Sequence, residues 1–464
     1  MVTRFALLLL ALAAPAVWAA SAQETVIYNF ATTPGDAERP AASLTLGPDG
    51  NFYGTSQGGG PFLAGTVFKI TPGGVESVLY SFGSVPDDGG HPTASLTLAS
   101  DGAFYGTTRF AAQNNGSVFR ISMLGVYEQL YAFALDGTDG DDPFGSLAEG
   151  TDGNLYGTTL NGGPYQGFSG TLFRISKAGA YSQLYTFGLV PSDGQWPFAG
   201  LTLGGDGNLY GTTYFSGPRQ DTSFRNGAGT VFTFVPGQGL STIYDFNNAT
   251  TCGGDGAAPS ASLTLGLDGN LYGVTEDGGR FRQGAIFMIT PGGKETVLYS
   301  FGSIPSDGRN PTGSLIRLAD GTLLGTTPSG GANESSDNAG GTAFMLAPDG
   351  TYTLLHSFGA TATDGQYPYG GLTQGPDGNF YGTTVAGGST TDRANGNVGA
   401  GTVYKLVIDN GGTGAPTFHS TPVPQYGCRA RSSSNKGGPM GLGLIVAALG
   451  ALSLRRRLGR RGIR

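Results

Sequence analysis

A repeated loop with the pattern Asp-Gly-x-x-Pro carries the residues best suited to binding chemistry. The pattern begins at Asp88, Asp139, Asp193, Asp255, Asp307 and Asp364, and a degenerate copy runs from Asp36 to Pro40. The residue before the proline varies from copy to copy: Arg39, His91, Asp142, Trp196, Ala258, Asn310 and Tyr367. Because a following proline favours extended backbone, we expect all seven residues to be extended. A constant frame that presents different side chains is typical of a binding surface.

Four of these residues are candidate ligand-binding residues: Trp196, Tyr367, His91 and Arg39. The rings of Trp196 and Tyr367 offer flat faces on which a sugar or another polymer can stack with little loss of side-chain entropy. The alternative is that both rings pack between structural units. The longest variable loops, residues 215–229, 328–341 and 385–401, form a second candidate site, since loops on a rigid scaffold often carry function.

Catalytic patterns are weak in this sequence. It has three histidines: His91 lies in a loop, His356 replaces a tyrosine of a repeated motif and is interpreted as a packing substitute, and His419 lies near the C-terminus. No Ser/His/Asp or Cys/His set follows from the spacing, and no phosphate-binding glycine motif precedes a helix. The sequence therefore predicts no catalytic residue and no cofactor. A catalytic carboxylate pair among the 33 acidic residues stays open.

The repeated aspartates allow a calcium interpretation, because calcium takes carboxylate ligands. The loops lack the dense alternation of oxygen ligands found in dedicated calcium loops. We therefore interpret these aspartates as turn-capping residues and predict no metal site.

One octapeptide, Asp-Gly-Asn-Leu-Tyr-Gly-Thr-Thr, organises the elements that must position these loops. Near-copies begin at Asp49, Asp101, Asp152, Asp206, Asp268, Asp320 and Asp377, and they are 51 to 62 residues apart. Each unit reads as four short strands with alternating polar and apolar residues, and its Asp-Gly turn joins the first two strands. A regular repeat of this length indicates units that share one continuous core.

The end repeats predict a closed ring. The fourth-strand motif Leu-Tyr-x-Phe has an early copy at 26–30, before the first full unit, whereas the last unit stops after its third strand at 401–406. Pairing the two removes two open sheet edges. We therefore predict an all-β fold: a seven-bladed β-propeller of four-stranded blades, closed by the N-terminal strand. The glycine inside each second strand marks a bulge or a close backbone approach, so we predict that this strand lies near the crowded axis.

Composition and charge narrow the ligand classes. The 464 residues include 84 glycines, and 38% are hydrophobic, which argues against a disordered chain. The net charge is −8, and without the two terminal segments 18 basic residues face 33 acidic ones. An acidic body argues against nucleic acid or an anionic membrane as ligand. The two cysteines, Cys252 and Cys428, have no zinc-ligand spacing, and a disulfide between them stays an alternative.

Both termini look like export signals. We predict a signal peptide at 1–22, the propeller at 23–410, a flexible Gly/Pro/Ser linker at 411–436 and a sorting or transmembrane signal at 437–464. The last segment combines Gly437 and Gly438 with an apolar run and an arginine cluster that includes Arg455, Arg456 and Arg457. Its apolar part is short for a permanent span, which favours a signal that is cut. A retained N-terminal anchor and an uncut tail anchor are the alternatives.

The repeat unit resembles the Gloeo/Verruco tandem repeat of bacterial surface proteins described as having a choice of anchor. The resemblance covers residues 26–408 and rests on Leu-Tyr-x-Phe, Asp-Gly-x-x-Pro and the octapeptide. The tail resembles a GlyGly-CTERM signal, although Pro439 follows the glycine pair where serine is more usual. The predicted signal peptide implies cutting by a signal peptidase, and the resemblance of the tail implies a rhomboid-like sorting protease, the rhombosortase. It implies fold and location, and no activity.

These observations favour an exported protein at the cell surface or outer envelope, which processing of the tail would release. The propeller would bind an extracellular polymer or a surface partner without catalysis, and would meet the membrane only through its C-terminal signal. The alternatives are a polysaccharide lyase or hydrolase that uses carboxylates at the rim, and a structural surface protein.

Overall fold

The computed structural model describes residues 21–110, 115–164, 169–190, 192–215, 228–246, 255–334, 340–361, 363–389 and 399–409. Within these ranges every regular element is a β-strand, and the main strands form seven four-stranded antiparallel sheets. The predicted all-β, seven-bladed propeller is therefore confirmed.

The blades are numbered in chain order, and each is listed here from its first to its fourth strand. Blades 1 to 3 contain Thr45–Leu46, Phe52–Ser56, Thr66–Ile70 and Glu76–Ser81; Thr97–Leu98, Phe104–Thr108, Ser117–Ile121 and Tyr127–Ala132; Ala148–Glu149, Leu155–Thr159, Thr171–Ile175 and Tyr181–Thr186. Blades 4 and 5 contain Thr202–Leu203, Leu209–Thr213, Thr230–Val235 and Gly239–Asp245; Thr264–Leu265, Leu271–Thr275, Ala285–Ile289 and Glu295–Ser300. Blades 6 and 7 contain Ile316–Arg317, Leu323–Thr327, Thr342–Leu346 and Tyr352–Ser357; Thr373–Gln374, Phe380–Thr384, Thr402–Asp409 and Ser21–Asn29.

Threonine side chains of the first strands link neighbouring blades around the ring. The Thr45 hydroxyl of blade 1 donates to the Leu96 carbonyl at the start of blade 2, at 2.6 Å. The same bond closes the ring, because Thr373 of blade 7 donates to the Leu44 carbonyl of blade 1 at 2.5 Å. The first strands therefore lie innermost and the fourth strands outermost.

The N-terminal strand Ser21–Asn29 supplies the fourth strand of blade 7, as the end repeats predict. It pairs antiparallel with Thr402–Asp409, from Ser21 opposite Asp409 to Asn29 opposite Thr402. The strand begins two residues inside the predicted signal peptide. Cutting after Ala22 would leave residues 23–29 to complete the blade, so the predicted signal peptide is compatible with closure.

The core lies between the blades and is built from the phenylalanine of each Leu-Tyr-x-Phe motif. These seven rings are at most 1% exposed: Phe30, Phe82, Phe133, Phe187, Phe246, Phe301 and Phe358. Phe82, for example, meets Phe119 of the next blade edge-to-face, with 5.4 Å between the ring centroids. Burying one such ring contributes roughly 2–3 kcal/mol, which makes the repeated phenylalanine a main source of blade-to-blade adhesion.

The glycine inside each second strand has a different cause from the one predicted. A Cβ on Gly106 would lie 2.5 Å from Cζ of Phe119, so the close neighbour is a side chain and not backbone. The pairing of the second strand with the third runs without a shift, so this glycine marks no bulge. The bulge lies one strand further out, between Val118 and Phe119 on the pairing with the fourth strand.

The Asp-Gly turns form as predicted. Gly102 has a φ of +77°, the region that favours glycine. The Asp101 carboxylate accepts the Ala103 N–H at 3.2 Å and the Tyr105 hydroxyl at 2.8 Å. Asp101 therefore caps this turn through the Ala103 N–H and the Tyr105 hydroxyl.

Several predicted features fall outside the described residues. They are residues 1–20, Cys252, the linker with His419 and Cys428, and the tail with Gly437, Gly438, Arg455, Arg456 and Arg457. In the part of the chain that the structure describes, no helix has the length and apolar character needed to cross a membrane.

Candidate functional site

Two sets of loops meet on one face of the propeller. Short ribbons pair the loop that enters a blade with the loop that follows the second strand of that blade. They are Ala37–Glu38 with Gly58–Gly59, Gly256–Ala257 with Asp277–Gly278, Gly308–Arg309 with Ser329–Gly330, and Gly365–Gln366 with Ala386–Gly387. The two candidate sites predicted from the sequence therefore lie on the same face, which we call the loop face. Parts of the three longest loops lie outside the described residues, namely residues 216–227, 335–339 and 390–398.

The seven residues before the prolines are not extended, so that prediction is wrong. Their φ angles lie between +53° and +61°, in the left-handed region: Arg39, His91, Asp142, Trp196, Ala258, Asn310 and Tyr367. This conformation costs roughly 1–2 kcal/mol for a residue other than glycine. Two hydrogen bonds of about 1 kcal/mol each offset it. The Trp196 N–H donates to the Ser169 carbonyl of blade 3 at 3.1 Å, and the Trp196 carbonyl accepts the Tyr214 N–H of blade 4 at 2.9 Å.

The same donor bond recurs at every blade entry. In each case a backbone N–H donates to a backbone carbonyl. The seven pairs, with the donor named first, are Arg39 and Ala400, His91 and Ala64, Asp142 and Asn115, Trp196 and Ser169, Ala258 and Ala228, Asn310 and Gln283, and Tyr367 and Gly340. Each acceptor belongs to the loop before the third strand of the preceding blade. The backbone of the frame is therefore constant around the ring, and only the side chains change.

Trp196 combines the two alternatives left open by the sequence. Its ring is partly buried and packs on a small cluster formed by Leu160, Phe198, Phe144 and Tyr214. The Phe215 ring lies beside it, with 5.1 Å between the centroids. Trp196 therefore packs between blades, and because it is only partly buried, part of the residue also remains exposed.

The other three candidates lie at separate positions of the frame. Tyr367 lies parallel to Tyr369, with 6.2 Å between the centroids and 8° between the planes. Burial raises the pKa of Tyr367, so its phenol is neutral at ordinary pH. His91 Nδ1 is 2.8 Å from the Gln57 carbonyl of blade 1. Arg39 is partly buried at the entry to blade 1. The structure does not bring Tyr367 to Trp196.

The structure brings His91 and Trp196 into one run of aromatic rings across blades 2 to 4. We call this run the aromatic arc: His91, Phe110, Phe144, Phe198, Tyr214, Phe215 and Trp196. Consecutive ring centroids lie 4.0 to 6.0 Å apart, except between Phe110 and Phe144, where the Arg109 guanidinium lies 5.7 and 5.0 Å from the two rings. The arc is therefore a connected run of packed rings at the loop face, in which Phe198 is buried and the other rings are partly buried.

A buried ion pair holds the middle of the arc. Arg109, 4% exposed, donates from Nε and Nη2 to the two carboxylate oxygens of Asp142, at 2.6 and 2.5 Å. The pair neutralises both charges and fixes the guanidinium plane. At the far end, the Tyr214 hydroxyl donates to Glu276 at 3.1 Å, and burial raises the pKa of Tyr214 well above its ordinary value. The surface that the arc presents is therefore aromatic and largely uncharged.

Sequence reasoning missed Arg109, Phe110, Phe144, Phe198 and Tyr214. Phe144 and Phe198 follow the proline of the loop, and Arg109 and Tyr214 follow the second strand. Both positions vary among the repeats, as the residue before the proline does. Comparing the repeats column by column, with attention to every variable position next to an invariant one, would have identified them.

The aspartates of Asp-Gly-x-x-Pro are structural. Asp88, 3% exposed, accepts the Tyr80 hydroxyl at 2.7 Å, the Gly83 N–H at 2.9 Å and the Ser84 hydroxyl at 3.2 Å. Such carboxylates are engaged by the protein and are poorly placed to act on a substrate.

His356 behaves as the predicted packing substitute. Its ring meets Phe358 edge-to-face at 4.7 Å and 79°, as Tyr80 meets Phe82 at 5.2 Å and 78°. The structure also brings His356 within reach of Glu24 and Asp364, where the sequence predicts no metal site. One ligand atom from each of the three residues lies within 4.8 Å of the others.

Comparison with known proteins agrees with this architecture. A family model described as the Gloeobacter/Verrucomicrobia repeat matches residues 17–224 and 219–421. No curated protein matches the sequence.

Among solved structures, a chain named as the extracellular domain of a hybrid two component system from B. thetaiotaomicron has a TM-score of 0.50 at 15% identity, over 79% of this chain and 39% of that one. A second such domain from the same organism has a TM-score of 0.47 at 12% identity, over 79% of this chain and 40% of that one. A protein of unknown function from Dyadobacter fermentans has a TM-score of 0.44 at 12% identity, over 84% of this chain and 99% of that one. The chain thus spans about two fifths of the first two proteins, and at these identities the likeness concerns the fold.

Proposed function

This chain belongs to the Gloeobacter/Verrucomicrobia repeat family, and on that premise we propose that it is an exported, non-catalytic binding module of the bacterial cell surface. The ligand is an extracellular polysaccharide without charge. The aromatic arc carries the proposal, since its rings form one packed run on a frame whose backbone makes the same hydrogen bond at every blade entry. Export rests on the signal-like sequences of residues 1–22 and 437–464.

The electrostatics of the loop face favour an uncharged ligand. Arg109 and Asp142 neutralise one another, and the chain outside the terminal segments carries more acidic than basic residues. A polyanion would meet net repulsion, whereas apolar sugar faces would stack on the arc. The rings are held by packing before any ligand arrives, so binding orders few side chains.

The test uses the full-length chain purified from an exporting bacterium and a panel of neutral glucans, xylans and mannans. Retention on each polysaccharide and release of soluble sugar are measured together, with calcium and with a chelator. We expect retention without product, and no effect of the chelator on retention.

The decisive variant is Trp196→Ala. The variant should lose about 1.4 kcal/mol of binding free energy, because the stacking ring is gone, and retention should weaken roughly tenfold. Phe62→Ala is the matched control, because Phe62 is an aromatic residue of a blade 1 loop between the second and third strands, lies outside the arc and is 55% exposed. Unchanged retention by Trp196→Ala would refute the arc as the binding surface. Release of sugar by the native chain would replace the binding module with a polysaccharide-active enzyme, and a chain that binds no polysaccharide would favour a structural surface protein.

A further inference from the structure

The outer strands of neighbouring blades meet in a repeated three-residue contact, which we call the junction triad. It joins the tyrosine of one fourth strand, the aspartate of the following loop and a residue near the start of the next fourth strand. In the triad of Tyr80, Asp88 and Tyr127, the Tyr80 hydroxyl donates to Asp88 at 2.7 Å. The Tyr127 ring stacks on Tyr80 at 3.9 Å, and its hydroxyl donates to the Asp88 carbonyl at 2.7 Å.

The triads differ only in their first and third members. Three contain Tyr, Asp and Tyr: Tyr80, Asp88 and Tyr127; Tyr131, Asp139 and Tyr181; Tyr299, Asp307 and Tyr352. Two contain Tyr, Asp and Glu: Tyr28, Asp36 and Glu76; Tyr244, Asp255 and Glu295. The triad at the closing seam contains His356, Asp364 and Glu24.

The change from tyrosine to histidine removes a donor from the closing seam. The other loop aspartates named above receive a tyrosine hydroxyl, but Asp364 receives the Ala360 N–H on Oδ2 at 2.9 Å. Three buried atoms have no hydrogen-bond partner among the described residues: Asp364 Oδ1, His356 Nε2 and Glu24 Oε1. A glutamate oxygen without a partner also occurs at Glu76 and Glu295, so the change to histidine accounts only for the atoms of Asp364 and His356. Asp364 itself is 8% exposed. Unpartnered polar atoms at such depth are costly, and all three can be satisfied together by a cation.

The ligand set selects the class of cation. One imidazole nitrogen with two carboxylates suits zinc and related first-row metals, whereas calcium and magnesium take oxygen ligands. Ligand atoms around a tetrahedral zinc lie about 3.4 Å apart at the usual bond lengths of about 2.1 Å. The present separations of up to 4.8 Å require a closure of roughly 1 Å.

Two of the three residues, Glu24 and Asp364, line a cleft that is open to solvent. A surface cleft of about 340 Å³ is lined by Glu24, Asp364, Asn29, Thr363 and Ser389, among others. The cleft admits a hydrated ion, and it leaves room for a water molecule as the fourth ligand of a three-residue site.

We propose that Glu24, His356 and Asp364 bind one zinc-class divalent cation, which pins the N-terminal strand to blade 6. Glu24 belongs to the strand that closes blade 7, His356 to the outer strand of blade 6 and Asp364 to the loop between these blades. The cation therefore bridges the seam where the two ends of the propeller meet. Its binding stabilises the closed ring, because the three ligands come together only when the ring is closed.

The experiment uses the full-length chain from an exporting bacterium, stripped of metal with a chelator. N-terminal sequencing first establishes that Glu24 is retained after processing. Thermal unfolding is then followed without metal, with zinc and with calcium. Zinc at about one hundred times its dissociation constant should raise the unfolding midpoint by about 3 °C. Elemental analysis after gel filtration should find one zinc per chain, and calcium should leave the midpoint unchanged.

His356→Tyr is the decisive variant, since it restores the residue found in the other triads and should fold at least as stably without metal. It should lose the zinc shift, as should Glu24→Gln. Glu76→Gln is the matched control, because Glu76 holds the corresponding place in a triad that contains a tyrosine; it should keep the shift. The proposal is overturned if His356→Tyr keeps the shift, if calcium acts as zinc does, or if the native chain binds no zinc.

Discussion

The loop face and the junction triads are built from the same repeats, yet they vary in opposite ways. On the loop face the pre-proline residues share one backbone conformation and one hydrogen bond, while their side chains range from Ala258 to Trp196. In the triads the side chains do the bonding: Asp88 accepts a tyrosine hydroxyl, and so do its counterparts Asp139 and Asp307.

This difference shows where a repeat is free to change. When the backbone makes the contact between blades, the side chain is free for a ligand, and the residues of the aromatic arc use that freedom. When side chains make the contact, a change leaves buried groups without partners, as His356 does beside Asp364. The two regions give three predictions about stability, in addition to the tests of Trp196 and of zinc.

The largest expected effect is on a complete triad. Asp88→Ala should lower the free energy of unfolding by about 3 kcal/mol, because it removes the buried acceptor of both the Tyr80 hydroxyl and the Gly83 N–H. Asp364→Ala in metal-free protein should lose only about 1 kcal/mol, since its side chain accepts the Ala360 N–H and no tyrosine. Urea unfolding of both variants measures the difference. Equal losses would break the distinction between a complete and an incomplete triad.

A smaller effect, of opposite sign, is expected on the loop face. Ala258 has a φ of +57° and donates its N–H to Ala228. Ala258→Gly should therefore stabilise the protein by up to about 1 kcal/mol, because glycine relieves the left-handed strain. On extended backbone the same change would destabilise by about 0.5–1 kcal/mol. The sign of the shift in the urea midpoint decides between the two conformations.

A third effect concerns pH and the triads that contain glutamate. Burial and the nearby Asp36 raise the pKa of Glu76 to about 8, and burial with Asp255 raises that of Glu295 to about 7. Tyr28 also faces Glu76, and Tyr244 faces Glu295. Between their unfolded pKa near 4.5 and these values the folded state holds more protons, so stability should fall as pH rises from about 5 to 8.

The fall in stability with rising pH should be shallower in Glu76→Gln, because the glutamine side chain cannot ionise. Thermal midpoints of both proteins at pH 5, 6.5 and 8 provide the comparison. Parallel curves for the two proteins would show that Glu76 does not titrate in this window.

Local sequence was enough to predict most of the architecture. Alternation of apolar and polar residues defined strands such as Phe104–Thr108, and Asp101 with Gly102 defined the turn before it. The displaced motif at 26–30 predicted ring closure because a fourth strand is absent at the other end. Repetition made these inferences strong, since every copy tests the same pattern.

The candidate site was predicted only in part. Trp196 and His91 do lie in the aromatic arc, whereas Tyr367 lies apart from it beside Tyr369. The order of positions around a ring, and the ring partners at each, depend on contacts between blades that periodicity does not describe.

The number of blades, their strands and the strand that closes them were determined by the sequence itself, because they follow from local alternation and repetition. Three features were decided only by the tertiary structure. The left-handed turn at Trp196 depends on the Ser169 carbonyl of another blade, and the glycine at 106 depends on the Phe119 ring of a neighbouring strand. Glu24 meets His356 across the closing seam, more than 300 residues away in the chain. Each is a contact between elements, and such contacts exist only once the ring has closed.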